Sequence, residues 1–347
     1  LSTTLLAEGH NPPFKARAID DSQPTKLDQS CVADAKPPFA VTNASEGGIA
    51  VEHHYSPFAR IVKHDFENGT KTVLKDNVGA YPVMSPKGGL LLHNAKGSKL
   101  ELMKLTPPFE SRSFLSPSLH QQVIEHNGPA QDAPVGAFSE DETTLVLRDN
   151  KERKWLVIDV ASEKVIQTIP LSDQHDSVQL SKDGNKMAMF SSSGGVSIWG
   201  ARTGSHLFSR HDGSINQPSP DAWSADGSRV AVARAPGDAL EVLDTNGESQ
   251  YEVSIGKILG IEPNLIGRDK RKSYGKVWAQ FIPPSNTLVA GIMGKSEFVI
   301  LNERGKVLGR YEASGTQIYR PTVSSDGKSM TVDGRDKTCR ITLPSAN

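Results

Sequence analysis

A tight turn built on Ser-x-Asp-Gly, or a near variant of it, recurs along this chain at a spacing that few folds can accommodate. Aligned on one turn position, the anchors are Ala44, Ser85, Ser139, Ser181, Ser224, Ile282 and Ser324, at intervals of 41, 54, 42, 43, 58 and 42 residues. Three turns read SKDG (181–184), SADG (224–227) and SSDG (324–327); the others are SEGG (45–48), SPKGG (85–89), SEDE (139–142) and PPSN (283–286). Gly takes a positive φ in such turns at no steric cost. A period of about 42 residues points to one supersecondary unit stacked repeatedly, with insertions in the two long intervals.

Residues 178–211 spell the unit most fully. Val178, Gln179 and Leu180 run into the turn, and Met187 and Met189 alternate with Lys186 and Ala188 beyond it. SSSGG (191–195) then leads to Val196, Ile198 and Trp199, and Arg202-Thr203-Gly204 to His206-Leu207-Phe208. Short alternating runs between turn clusters are strands, here four and antiparallel. A lone sheet of this kind cannot bury its faces. The fold class is therefore all-β, a seven-bladed β-propeller with four antiparallel strands per blade. Met84, Phe138, Leu180, Trp223, Phe281 and Val323, each just before an anchor, should lie between blades. One residue earlier, Val83, Ala137, Gln179, Ala222, Gln280 and Thr322 should face the central channel.

The SKDG, SADG and SSDG turns and the V-x-I-W strand of VSIWGARTG resemble the WD-repeat and YVTN-like seven-bladed propellers over roughly residues 37–344. Gly200 follows Trp199 where WD repeats carry Asp, the mark of a divergent member. The resemblance is specific for fold. It implies a rigid scaffold for partners, on a superfold that also hosts unrelated enzymes.

The last unit, Pro321 to Leu343, has room for three strands, which would leave an unpaired edge. The segment 1–36 is expected to supply the fourth, with a strand near 26–32, and 37–347 to form the rest of the single ring. Cys339 lies at the start of a third strand and Cys31 at the end of the supplied one. Antiparallel pairing puts such ends side by side, so a Cys31–Cys339 disulfide is expected. The bond implies an oxidising compartment, and Leu in place of an initiator Met fits a removed signal; the expected location is periplasmic or secreted.

Lys plus Arg number 39 and Asp plus Glu 40, a balance that excludes the broad basic face of a nucleic-acid binder. No apolar run reaches the roughly 18–20 residues of a membrane span. The chain has no G-x-S-x-G, H-E-x-x-H or P-loop, and its two Cys have no metal-clip spacing. The expectation is a monomeric binding protein, not an enzyme, with no cofactor, no metal and a protein partner of acidic character. The competing reading is an exported lyase or hydrolase at the channel mouth, using loop His residues and carboxylates.

Candidate contacts cluster on the face made by fourth-to-first-strand loops. His126, His175 and His211 should meet there from consecutive blades, where imidazoles serve ligands or satisfy turn hydrogen bonds. The longest insertion, Gly256 to Lys276, carries Arg268, Lys270, Arg271, Lys272 and Tyr274. Cations interleaved with an aromatic suit a carboxylate or phosphate surface, and Tyr319 and Arg320 extend the patch. A second insertion, Thr106 to Pro134, is expected to cover an edge or extend a rim.

Overall fold

The computed structural model describes residues 23–33, 40–42, 48–53, 58–79, 82–95, 99–116, 119, 123, 135–149, 151–171, 175–191, 193–216, 219–234, 238–261, 277–333 and 337–344. They form seven antiparallel four-stranded sheets with almost no helix, the blades of a propeller. Blade 1 lies within 40–79, blade 2 within 83–113, blade 3 within 136–170, blade 4 within 175–211, blade 5 within 215–254, and blade 6 within 277–312. Blade 7 takes three strands from 320–342 and its outermost strand, Gln29–Ala33, from near the N-terminus. Within each blade the chain runs from the inside outward. First-to-second and third-to-fourth turns therefore share one face, here the turn face, and the other connections form the loop face.

The Ser-x-Asp turns hold themselves. In blade 4 the Ser181 hydroxyl donates to Asp183 at 2.6 Å and accepts the Lys186 N–H at 2.9 Å, while the same Asp183 oxygen accepts the Asn185 N–H at 3.1 Å. Blades 3, 5 and 7 repeat this set with Ser139 and Asp141, Ser224 and Asp226, and Ser324 and Asp326. Burial alone would push the Asp183 carboxyl up, but these donors hold it below its ordinary range. Blade 2 has Lys87 where the Asp should be. Glu142 of blade 3 reaches across instead, accepting from the Ser85 hydroxyl at 2.6 Å and the Gly89 N–H at 3.0 Å. One repeat thus supplies what its neighbour lacks.

Adjacent blades sandwich apolar side chains, such as Phe190, Ile198, Trp223 and Val232 between blades 4 and 5. Each large side chain buried this way contributes about 1.5–3 kcal/mol. A second contact recurs at the periphery, where a third-to-fourth turn residue at positive φ lies on the outer strand of the preceding blade. A Cβ on Gly204 would meet Gln167 at 2.8 Å, one on Gly247 the Phe208 ring at 2.1 Å, and one on Gly305 the Tyr251 ring at 2.5 Å. Blade 3 has Glu163 in this place at φ 56°, where it ion-pairs with Arg112 and accepts the Leu115 N–H at 3.2 Å. In blade 1 it is Gly69, 3.5 Å by the same measure from the Cys31 carbonyl of the closing strand.

The closing strand departs in detail from its expected bounds. Residues 26–32 do not form one strand: Thr25–Lys26 pairs in parallel with the outer strand of blade 6, and Gln29–Ala33 pairs antiparallel with Lys337–Thr342. The Gln29 side chain donates to the Ser314 carbonyl at 2.7 Å between the two sites. Cys31 stands opposite Cys339, Cα to Cα 4.1 Å, and the two are disulfide-bonded. Across the next interface Arg340 of blade 7 lies 4.6 Å over the Phe66 ring of blade 1.

At the centre, Gln179 and Gln280 are buried. The Gln179 side-chain Oε1 accepts the Ala222 N–H at 2.8 Å and that of Gln280 the Val323 N–H at 2.6 Å, each bond tying one inner strand to the next. Blade 5's inner segment is divided. Ile215–Asn216 pairs with its own sheet, whereas Ser219–Asp221 pairs in parallel with the inner strand of blade 6.

Candidate functional site

The two faces use their polar side chains differently. On the turn face the Ser-x-Asp groups satisfy one another, and the remaining donors bridge blades: Arg202 to Thr144 at 2.7 Å, Lys186 to the Gly227 carbonyl at 2.9 Å, and Lys182 to Glu140 at 2.8 Å. Groups held this way are committed to the ring. The loop face carries the connections between blades, and two of these are rooted deeply.

The basic insertion leaves blade 5 through a single helical turn, Ile255–Ile258, whose first free N–H groups are met by the Ser254 hydroxyl accepting from Lys257 at 3.1 Å. Ile255 and Leu259 are buried in the core shared by blades 5 and 6, and Arg310 donates to the Leu259 carbonyl at 3.3 Å. The chain reappears at Val277 as blade 6's inner strand. Arg268, Lys270, Arg271, Lys272 and Tyr274 lie outside the described residues, between these two anchored ends. In the second insertion Phe114, Leu115 and Val123 are buried in the core of blades 2 and 3, so its described part plugs an inter-blade gap.

Tyr319 and Arg320 lead into blade 7's inner strand, one blade beyond the basic insertion. Tyr319 is half-buried and its hydroxyl donates to Gln317 at 2.9 Å. Arg320 pairs in register with Asp333, and its side chain lies outside the described set. His126 also lies outside the described residues. His175 and His211 fall on one blade rather than on consecutive ones. They begin and end blade 4, in the register row His175, Ser191, Gly195, His211. His211 is exposed, and its Nε2 lies 3.0 Å from the Ser193 hydroxyl.

Sequence reasoning missed a charge cluster between blades 4 and 5. Arg210 on blade 4's outer strand pairs with the buried Glu241 of blade 5; Arg234 reaches Glu241 at 3.3 Å and Asp212 at 3.1 Å. The Ser214 hydroxyl first, and then both arginines, hold the Asp212 carboxyl down at about 2. Arg234 and Glu241 belong to strands that read as ordinary repeats, so nothing local in the sequence marks them. Among the described residues no group of three or more His, Cys, Asp or Glu could hold a metal ion.

A second buried carboxylate sets an acid limit. Glu52 in blade 1 lies 2.8 Å from Lys71 Nζ and 3.8 Å from His64 Nε2. Burial raises its carboxyl, but the hydrogen bonds and charges of these partners outweigh burial and bring it to about 2 from an ordinary 4.5. A carboxyl depressed on folding contributes stability that is present above its unfolded value and lost as pH falls through its folded one. Urea melts are therefore expected to show stability falling between about pH 4.5 and 2. Glu52→Gln should be less stable than the parent at pH 7 and lose less on acidification; an equal acid loss in both proteins would contradict the assignment.

No family model and no curated protein sequence matches the chain. Among solved structures it is similar to a chain of one titled "Crystal Structure of Mitotic Checkpoint Complex", with a TM-score of 0.58, 13% identity, and coverage of 99% of this chain and 100% of that one. The protein thus has a WD-repeat-like seven-bladed propeller fold. Likeness extends to 1803 solved chains, a breadth that defines architecture and not activity.

Proposed function

We propose that this protein is a binding platform whose loop face takes a protein partner with an acidic surface. The observation that carries the reading is the asymmetry of the faces: the Ser-x-Asp groups of the turn face, with Lys182, Lys186 and Arg202, are spent on locks and bridges, while the basic insertion springs from an anchored root on the other. Arg268, Lys270, Arg271, Lys272 and Tyr274, with Tyr319 and Arg320 beyond them, supply the contacts. That the similar solved chain sits, by its title, in a complex is in keeping with such a role. The disulfide fits work in an oxidising compartment, the periplasm or the exterior.

The test replaces Arg268, Lys270, Arg271 and Lys272 together by Ser and measures binding to a partner recovered by pull-down. Binding should weaken at least tenfold and lose most of its salt dependence, because exposed charges are screened beyond a Debye length of about 8 Å. Unchanged affinity with an unchanged salt slope would return the insertion to solvated surface.

A further inference from the structure

At the rim of the loop face, blade 4 brings a serine and a histidine together in a way the Ser-x-Asp locks do not. The turn SSSGG joins its second and third strands, and His211 ends its fourth. The Ser193 hydroxyl is 3.0 Å from His211 Nε2 and 2.6 Å from the Ser191 hydroxyl, and the Ser193 N–H donates to that same Ser191 oxygen at 3.1 Å. With Nδ1 protonated, Nε2 accepts. The hydroxyls then run in one direction, Ser191 to Ser193 to His211, so that Ser193 oxygen is both hydrogen-bonded from behind and relieved of its proton in front.

Two glycines make room for this. A Cβ on Gly195 would meet His211 Nδ1 at 2.1 Å, and one on Gly194 the Gly213 backbone at 2.3 Å. The Gly213 N–H donates to the Gly194 carbonyl at 3.0 Å, fixing the turn against the chain that follows His211. In the locks a serine donates to a carboxylate held as an anion by backbone donors, a group poorly suited to take its proton. Ser193 is exposed and donates to an imidazole, which can. Nucleophile and base within hydrogen-bond reach, the serine in a tight turn and the histidine at a strand end, is the core of the arrangement acyl transfer uses.

We propose that Ser193 is a nucleophile and His211 its general base, acting on small activated carboxylic esters that can reach an open rim. Ser193 Oγ bonds to the acyl carbon and its proton passes to His211 Nε2; the ester C–O bond breaks, and the leaving alcohol takes that proton. Water then attacks the acyl-serine, gives a proton to His211, and the proton returns to Ser193 as the carboxylic acid leaves. The pair acts whether or not the loop face also holds a partner.

The experiment treats the full chain with p-nitrophenyl acetate, following p-nitrophenol release and locating the acetyl group by peptide mass spectrometry. Ser209, which bonds His206 Nε2 at 2.6 Å, and exposed Ser162 serve as internal comparisons. Acetylation should concentrate on Ser193, vanish in Ser193→Ala, and slow on the order of 10²-fold in His211→Gln. Gln keeps a partner for the Ser193 hydroxyl, and thermal melts report that the variant is folded. Acetyl spread evenly over Ser193, Ser209 and Ser162, or an unaltered rate in folded His211→Gln, would overturn the proposal and leave the pair as a brace for the turn.

Discussion

Replacing Cys31 by Ser and Cys339 by Ala together is expected to lower the unfolding free energy by roughly 3–5 kcal/mol, and reductant should do the same to the unaltered protein. The bond joins residues 308 apart in sequence. In the chain-entropy view, a bond that closes so long a loop removes more freedom from the unfolded chain than a short one does. The bond also fixes a strand whose hydrogen bonds are otherwise those of a short edge, tied further by Gln29 to Ser314, by the Thr25–Lys26 pairing and by the Leu27 N–H on the Glu312 carbonyl. Urea melts with and without reductant measure the effect. Identical midpoints would show that pairing alone holds the seam.

The second large effect falls at a glycine. Gly247 sits at φ 84°, and a Cβ there would lie 2.1 Å from the Phe208 ring of blade 4. Gly247→Ala meets two penalties: about 1–2 kcal/mol for a left-handed non-glycine backbone and about 1–3 kcal/mol for overpacking. A loss of roughly 2–5 kcal/mol is expected, of which a second change, Phe208→Ala, should relieve only the steric share. The double-mutant cycle separates the two, and simple additivity would deny the contact.

The ring was legible in the sequence because its signal is local. A Ser, an Asp and a Gly within four residues close a turn by themselves, so Ser181, Ser224 and Ser324 announced their blades. The cysteines were legible for a related reason: once the strand order is known, Cys339 and Cys31 can only be neighbours. What stayed hidden depends on two repeats at once. Glu142 serves the turn at Ser85, Glu163 takes the place of a turn glycine because Arg112 lies across from it, and Glu241 is buried between arginines from different blades. No short window around Glu142 or Glu163 contains its partner, and Arg210, which pairs with Glu241 from the preceding blade, stands 31 residues from it. The His pattern misled for the same reason, since distance from an anchor told which end of a strand His175 and His211 occupy but not that they share a blade. Ser193 read only as part of a turn, its relation to His211 arising from the third and fourth strands folding back together.

The overlap of each turn with the preceding outer strand has a direction. Blade 4 lies on blade 3, blade 5 on blade 4, blade 6 on blade 5, and Gly69 of blade 1 on the strand that carries Cys31. Such contacts are heterologous, one surface meeting a different one, and a chain of them ends only if rotation brings the last surface to the first. Gln29–Ala33 is the piece that makes the two ends fit. Without it the edge of Lys337–Thr342 would face outward as an acceptor, and the matching strand of another copy could fill it. The same geometry that closes one molecule would then propagate between molecules, turning a self-limited ring into the first unit of an open polymer.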